Sequence, residues 1–190
     1  MYQKYQTDAL LLGSREMGEA DKVHALYTRD FGLVRARAGA VRWEKSRMRY
    51  ALQNYSRARV SLVRGKRGWR IAGARPRQGF TLLQNTRSVA AFARISELVL
   101  KLVQGEEQNE YLFSALAEAH GALLHGTESA LVEIICVARV LYALGYISTE
   151  ALSTTLFTHT DYALEHLREV EKKRDKLLSS INRAISETHL

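Results

Sequence analysis

The spacing of apolar residues changes once along the chain, and this change limits the folds open to it. Before Pro76, polar residues such as Arg35 and Arg37 alternate with small apolar ones, as in strands with one buried face. After Pro76, apolar residues recur every three or four positions, as in helices with one buried stripe. We therefore predict an α+β protein, with an all-β domain over residues 1–78 and an all-α domain over residues 79–190.

The first domain contains about five short strand patterns. They cover residues 9–12, 23–28, 33–38 and 57–62 and a returning strand that begins at Trp69. Gly65 and Gly68 suit the hairpin turn before that last strand, because such turns require positive φ values. Five short antiparallel strands predict a small closed barrel.

Four helical patterns follow in the second domain. They cover residues 89–102, 109–124 and 130–144, and one long final helix from about residue 161. We expect Thr127 to cap the third helix and Gly145 to end it. Since the third helix is apolar on nearly all sides, we expect it at the centre of a helical bundle.

Positive charge is concentrated in the first domain. The net formal charge is +8, but residues 1–80 carry 18 Lys and Arg against 6 Asp and Glu, whereas residues 81–190 carry 10 against 14. A charge difference of this size predicts a local positive field that suits a polyanion. A membrane surface is the weaker alternative, because the basic half has neither a strongly amphipathic helix nor a lipidation signal.

The basic residues lie where a nucleic acid could contact them. Several alternate with apolar residues on predicted strands, and others surround Trp43 in a segment with little strand pattern. Cations that follow a backbone, with aromatic rings for base stacking, are typical of single-strand binding. The candidates are Arg35, Arg37, Arg42, Trp43, Lys45, Arg47, Arg49, Arg57, Arg59, Arg64, Lys66, Arg67 and Arg70. The alternative for Trp43 is a place in the barrel core.

Other chemistry is poorly supported. The single cysteine, Cys136, is flanked by apolar residues and is expected in the core. Glu16, Glu19 and Asp21 could hold Mg²⁺ as in a nuclease, but they lie in a predicted turn without a second acidic cluster. The sequence lacks a phosphate-binding loop of the Walker type. We expect no catalytic residues, metal or cofactor, and the absence of a signal peptide predicts a cytoplasmic protein.

The order of the residues carries a further signal in seven segments, which are 18–23 (GEADKV), 26–32 (LYTRDFG), 38–42 (AGAVR), 45–47 (KSR), 51–53 (ALQ), 62–64 (LVR) and 69–71 (WRI). In these segments the chain most strongly resembles the bacterial RecO family. In the second half the resemblance continues at residues 97–98, 109–113 and 141–146, the last ending in Leu-Gly-Tyr.

The resemblance implies an N-terminal five-stranded OB-fold barrel followed by a C-terminal helical bundle. It also implies a protein without enzymatic turnover that binds single- and double-stranded DNA, anneals complementary strands and acts with RecR. Such a protein helps to load RecA onto DNA coated by single-stranded-DNA-binding protein, and it would be associated with the nucleoid. The cysteine pairs that form a zinc site in many relatives are missing after Leu-Gly-Tyr, so we expect a compact, zinc-free form.

The resemblance further implies that the helical domain docks the acidic C-terminal tail of single-stranded-DNA-binding protein. Such a tail needs an apolar pocket with a cation at its rim, and Arg94, Lys101 and Arg139 are the candidate rim residues. The charge alone would equally permit an OB-fold module that binds RNA or ribosomes, and this alternative remains open.

Overall fold

A computed structural model describes residues 3–43, 45–77, 85–148 and 155–187 of the chain. The chain divides into two compact units, one of Met1–Leu82 with Gln104–Glu110 and one of Leu83–Val103 with Tyr111–Leu190. The predicted domain boundary after residue 78 lies outside the described residues.

The first unit is a closed five-stranded barrel. Its strands are β1 (Lys4–Met17), β2 (Asp21–Thr28), β3 (Gly32–Ala38), β4 (Arg57–Gly65) and β5 (Gly68–Pro76). The long β1 pairs with β4 through its first half and with β2 through its second half. A short parallel pairing of β3 with β5 closes the barrel in the order β1-β2-β3-β5-β4. This order is that of an OB-fold and confirms the predicted fold class.

Alternation along each strand builds the barrel core. On β3, Val34, Ala36 and Ala38 are buried, whereas Arg35 and Arg37 are exposed. Trp69 closes one part of this core, with its ring at 5.7 Å from Tyr5 in an edge-to-face contact. The apolar face is therefore inside the barrel, and the polar face is available to solvent.

Gly32 accommodates a close approach within the first unit. Its φ is 60°, and a Cβ atom at this position would lie 2.1 Å from the carbonyl oxygen of Glu107. The segment Gln104–Glu110 thus packs on the barrel at a point where only glycine fits.

His24 is a buried residue of β2 that makes the stability of the barrel depend on pH. Its side chain is fully buried, and among the described residues neither ring nitrogen has a hydrogen-bond partner. Burial, assisted by the charge of Lys22, lowers the pKa of His24 from 6.5 to about 4. The folded barrel therefore keeps His24 neutral in a pH range where the unfolded chain takes up a proton.

We expect the barrel to lose stability as the pH falls from 6.5 towards 4. Because the unfolded state binds the extra proton, the free energy of unfolding should fall by about 2 kcal/mol between about pH 7.5 and about pH 5. Urea unfolding followed by tryptophan fluorescence measures this, since Trp43 and Trp69 both belong to the barrel. His24→Leu should remove the effect, and replacement of the exposed His125 by Gln should retain it. An equal pH dependence in the His24→Leu protein would contradict this assignment.

The second unit is helical. Its helices are α1 (Thr86–Leu102), α2 (Glu110–Leu124), α3 (Ser129–Ala143), α4 (Leu164–Lys172) and α5 (Arg174–Glu187), with a 3₁₀ turn at Thr155–Phe157. The first residue of α2, Glu110, groups with the barrel unit. As predicted, α3 is central, because it packs against α1, α4, α5 and the 3₁₀ turn. Cys136 on α3 is fully buried, and burial raises the pKa of its thiol to about 12.

Two of three details predicted for the helix ends and the final helix were wrong. Gly145 ends α3 as expected, with φ 81° and a bond from the amide of Tyr146 to the carbonyl of Leu141. Thr127 does not cap α3, because the N-cap residue is Glu128, whose side chain makes no capping bond. The amide of Thr127 instead bonds to the carbonyl of Ala122 and closes the end of α2.

The predicted single final helix is also interrupted. The amide of Lys173 is shared between the carbonyls of Glu169 and Val170, a tightened last turn that separates α4 from α5. The buried residues Val170 on α4 and Leu177 on α5 nevertheless belong to one apolar cluster. None of the described helices is long and apolar enough to cross a membrane.

Candidate nucleic-acid interface

The candidate cations of the barrel lie on its outside. All twelve are exposed except Arg57, which is half-buried. On strands they are Arg35, Arg37, Arg57, Arg59, Arg64 and Arg70; in connections they are Arg42, Lys45, Arg47, Arg49, Lys66 and Arg67. The barrel therefore presents guanidinium and ammonium groups to solvent on β3, β4 and β5 and on two of its connections.

Four of these cations share a cleft at the β4–β5 hairpin, here called the hairpin cleft. It has a volume of about 340 Å³ and is lined by Arg37, Lys66, Arg67 and Arg70, with Val63 and Trp69 among its other residues. The parallel pairing of β3 with β5 places Arg37 directly beside Arg70. Sequence order alone would not show this neighbourhood, because the two residues are 33 positions apart in the chain.

Trp43 is not a core residue. Trp43 is 65% exposed and Tyr50 is 62% exposed, whereas Trp69 is only 6% exposed. An exposed indole in a cationic segment is available for stacking with a base.

The segment before Trp43 is tied to the β1–β2 turn. The carboxylate of Asp21 accepts a hydrogen bond from the amide of Ala40 at 2.8 Å, and the amide of Arg42 donates to the carbonyl of Ala20 at 3.1 Å. The guanidinium of Arg42 also donates to the carbonyl of Gly18 at 3.2 Å. These bonds fix the backbone that leads to Trp43.

Carboxylates neutralise part of the basic surface. Arg37 donates to Asp21 at 2.7 Å, and Arg42 pairs with Glu16 at 3.2 Å. The amide of Ala40, and after it Arg37, lowers the pKa of the Asp21 carboxyl. Two members of the acidic trio weighed as a magnesium site are thus partners of arginines. Among the described residues, no group of three or more His, Cys, Asp and Glu side chains could hold a metal ion.

Arg64 has two partners at the barrel end. Its guanidinium lies 5.3 Å from the ring centre of Trp69, and it pairs with Glu106 at 3.5 Å. A phosphate would therefore compete with Glu106 for this arginine.

The structure does not bring the three rim candidates of the helical unit together as a cationic rim. Arg94 on α1 is exposed and makes a two-pronged contact with Glu133, with nitrogen–oxygen distances of 2.6 and 2.5 Å. Lys101 is exposed in the last turn of α1. The prediction that Arg139 lies at a rim was wrong, because its side chain is fully buried.

Arg139 instead holds the backbone after α3. Its guanidinium donates to the carbonyls of Leu156, Thr160 and Asp161 at 3.1, 2.7 and 2.9 Å. It also lies 4.9 Å from the ring centre of Tyr162. The single cation in an apolar helix thus satisfies backbone carbonyls, a role that only the folded chain reveals.

Sequence reasoning missed Arg75 on β5. Strict alternation from Trp69 and Ile71 would point Arg75 into the barrel, but the side chain is exposed. The register shifts between Ser61/Gly73 and Leu62/Ile71, which leaves Ala72 as an extra residue and reverses the alternation after it. Gly73 was the available signal, since a glycine inside a strand often marks a bulge.

The fold and its surface define a class of protein, an OB-fold barrel with a cationic exterior joined to a helical bundle. Family models described as Recombination protein O N terminal and Recombination protein O C terminal match residues 1–80 and 83–148. The chain belongs to the RecO family.

Curated relatives support this membership. The chain is 32% identical over 143 residues to "DNA repair protein RecO" of Pelotomaculum thermopropionicum, covering 75% of this chain and 56% of that protein. It is 33% identical over 147 residues to the protein of the same name from Desulfitobacterium hafniense, covering 75% and 52%. For the Myxococcus xanthus protein of that name, identity is 31% over 135 residues, covering 70% and 55%. The chain spans about half the length of these relatives.

Proposed function

We propose that this chain acts in DNA repair and homologous recombination by binding single- and double-stranded DNA on its barrel and annealing complementary strands. The observation that carries the proposal is the cationic exterior of the barrel, where the hairpin cleft gathers Arg37, Lys66, Arg67 and Arg70. Membership of the RecO family and the names of its relatives support the setting in DNA repair. The role consists of binding and needs no catalytic turnover.

Annealing follows from the physical character of this surface. Two complementary strands repel each other through their phosphates, and an excess of Lys and Arg screens that repulsion while base edges stay free to pair. Contacts with phosphates are independent of sequence, so the protein should anneal strands of any sequence. Trp43 would add stacking, which contributes about 1–3 kcal/mol per base in single-strand binding.

The partners in this role are those of a recombination mediator. We propose that the chain works with RecR to load RecA onto DNA coated by single-stranded-DNA-binding protein, at the nucleoid. The helical unit would dock the acidic tail of that coating protein. Lys101 remains the simplest rim candidate, since Arg94 is engaged by Glu133 and Arg139 is buried.

An annealing assay tests this function. One oligonucleotide carries a dye, and its complement carries a quencher. The two strands should pair faster with the protein than without it. The acceleration should persist when both strands are first coated with the cognate single-stranded-DNA-binding protein. DNA binding without faster pairing would contradict the annealing role, and tight binding of structured RNA instead of DNA would favour the RNA-binding alternative.

A further inference from the structure

The outer face of β4 and β5 carries a second cationic cleft, away from the hairpin. This strand-end cleft has a volume of about 780 Å³. Its cations are Arg47, Arg59 and Arg75, and its other lining residues include Met48 and Gly73. Arg75 was not among the residues that the sequence pattern assigned to DNA binding.

Two of these arginines lie directly opposite each other. Arg59 on β4 and Arg75 on β5 are Cα partners in the antiparallel pairing. Like charges at such positions destabilise a sheet. A bound anion would relieve this repulsion, so the pair favours a negatively charged ligand.

The carboxylate nearest in register does not neutralise this pair. Asp8 is the partner of Arg59 on the other side of β4, but it accepts a bond from Arg77 at 2.7 Å. Within the described part of the chain, neither Arg59 nor Arg75 forms an ion pair. The charge of the cleft therefore remains available to a ligand.

The bulge at Ala72 joins the two clefts on one face. Arg70 lines the hairpin cleft and Arg75 lines the strand-end cleft. Residues five apart on a regular strand point to opposite faces, but the extra residue between them brings both side chains to the outside. At about 3.3 Å per residue, the two arginines are about 16 Å apart along β5.

The space between these cations has no large side chain on β5. Gly73 lies opposite Ser61 on β4, and a Cβ atom at Gly73 would be in ordinary contact with the Ser61 side chain at 3.8 Å. A sugar–phosphate backbone can therefore approach the sheet closely between Arg70 and Arg75.

We infer that one single strand of DNA runs along the outer face of β5, with its phosphates in the hairpin cleft and in the strand-end cleft. The inference rests on the proposed DNA binding and adds the path of the strand and the role of Arg59 and Arg75. A path of this length fits within the site size of about 4–16 nucleotides that OB-folds cover.

Charge reversal at Arg75 tests the path. For an oligothymidine dodecamer at low salt, Arg75→Glu should weaken binding about fivefold to tenfold. It should also reduce the magnitude of the slope of log affinity against log salt by about 0.7. Arg75→Lys should bind nearly as well as the wild type, because it keeps the charge. Arg15→Glu, an equal charge change at an exposed residue of β1 outside both clefts, should have a much smaller effect.

Three outcomes separate this inference from the proposed function. If Arg75→Glu behaves like Arg15→Glu while Arg70→Glu weakens binding, the strand-end cleft does not hold DNA and the inference fails alone. Two dodecamers bound per chain in calorimetry would overturn the single path. Absence of any DNA binding by the wild type would overturn the proposed function itself. Urea-unfolding midpoints no lower than that of the wild type for all four variants, read from the buried Trp69, establish that the barrel is intact.

Discussion

Replacement of Arg139 by methionine should lower the free energy of unfolding of the helical unit by about 3–5 kcal/mol. Methionine fills part of the volume but leaves the carbonyls of Leu156, Thr160 and Asp161 without their donor. The carbonyl of Leu156 is buried, and a buried acceptor that loses its partner costs about 1–3 kcal/mol. The charge-assisted bonds to the part-buried carbonyls of Thr160 and Asp161 and the contact with the Tyr162 ring are lost as well. The loss is a large fraction of the total stability of a typical domain, which is about 5–15 kcal/mol.

Urea unfolding followed by circular dichroism at a helix wavelength measures this change. Tryptophan fluorescence reports the barrel separately, because both tryptophans lie there. Arg94→Met is the matched control: Arg94 is also an arginine of the helical unit, but its bonds to Glu133 are at the surface, and the loss should stay below about 1 kcal/mol. Equal losses for the two variants would show that Arg139 does not hold the backbone after α3.

Reversal of Arg67 and Arg70 to glutamate should weaken single-strand binding several tens of fold at low salt. Both residues line the hairpin cleft, and both are exposed. They are a cleaner choice than Arg37, whose reversal would place a glutamate beside Asp21 and disturb the bond to Ala40. The effect should be similar for oligonucleotides of different sequence, since phosphate contacts carry no sequence information.

The control for this double reversal is an equal charge change elsewhere. Arg87 and Arg183 are exposed residues of the helical unit, and their reversal to glutamate changes the net charge by the same amount. Fluorescence anisotropy of a labelled oligothymidine gives the affinities. If both double variants lose affinity equally, the effect comes from overall charge and the hairpin cleft is not the binding site.

The sequence predicts the local part of the fold well. The alternation around Arg35 and Arg37 depends only on neighbours along one strand, and it correctly placed both side chains outside the barrel. The turn at Gly65–Gly68 and the end of α3 at Gly145 also depend on local backbone geometry, and both were found where glycine predicted them. Of the two turn glycines, however, only Gly68 has the positive φ expected of both.

Features that depend on distant parts of the chain could not be predicted in the same way. Arg139 was placed at a surface rim because its carbonyl partners lie 17 to 22 residues further along. The pairing of Arg37 with Asp21 joins two strands, and its effect on the net field is not visible in a charge count. Arg75 was missed because one bulged residue reverses the alternation of β5.

The dependence of single-strand affinity on salt tests the central claim, that the barrel exterior binds DNA through its phosphates. If the four cations of the hairpin cleft contact phosphates, each contact should contribute about −0.7 to the slope of log affinity against log salt. The slope for the wild type should therefore be about −2 to −3 or steeper. The Arg67→Glu, Arg70→Glu double variant should reduce the magnitude of this slope by about half. A slope near zero for the wild type, or one that the double reversal leaves unchanged, would contradict this account of the barrel.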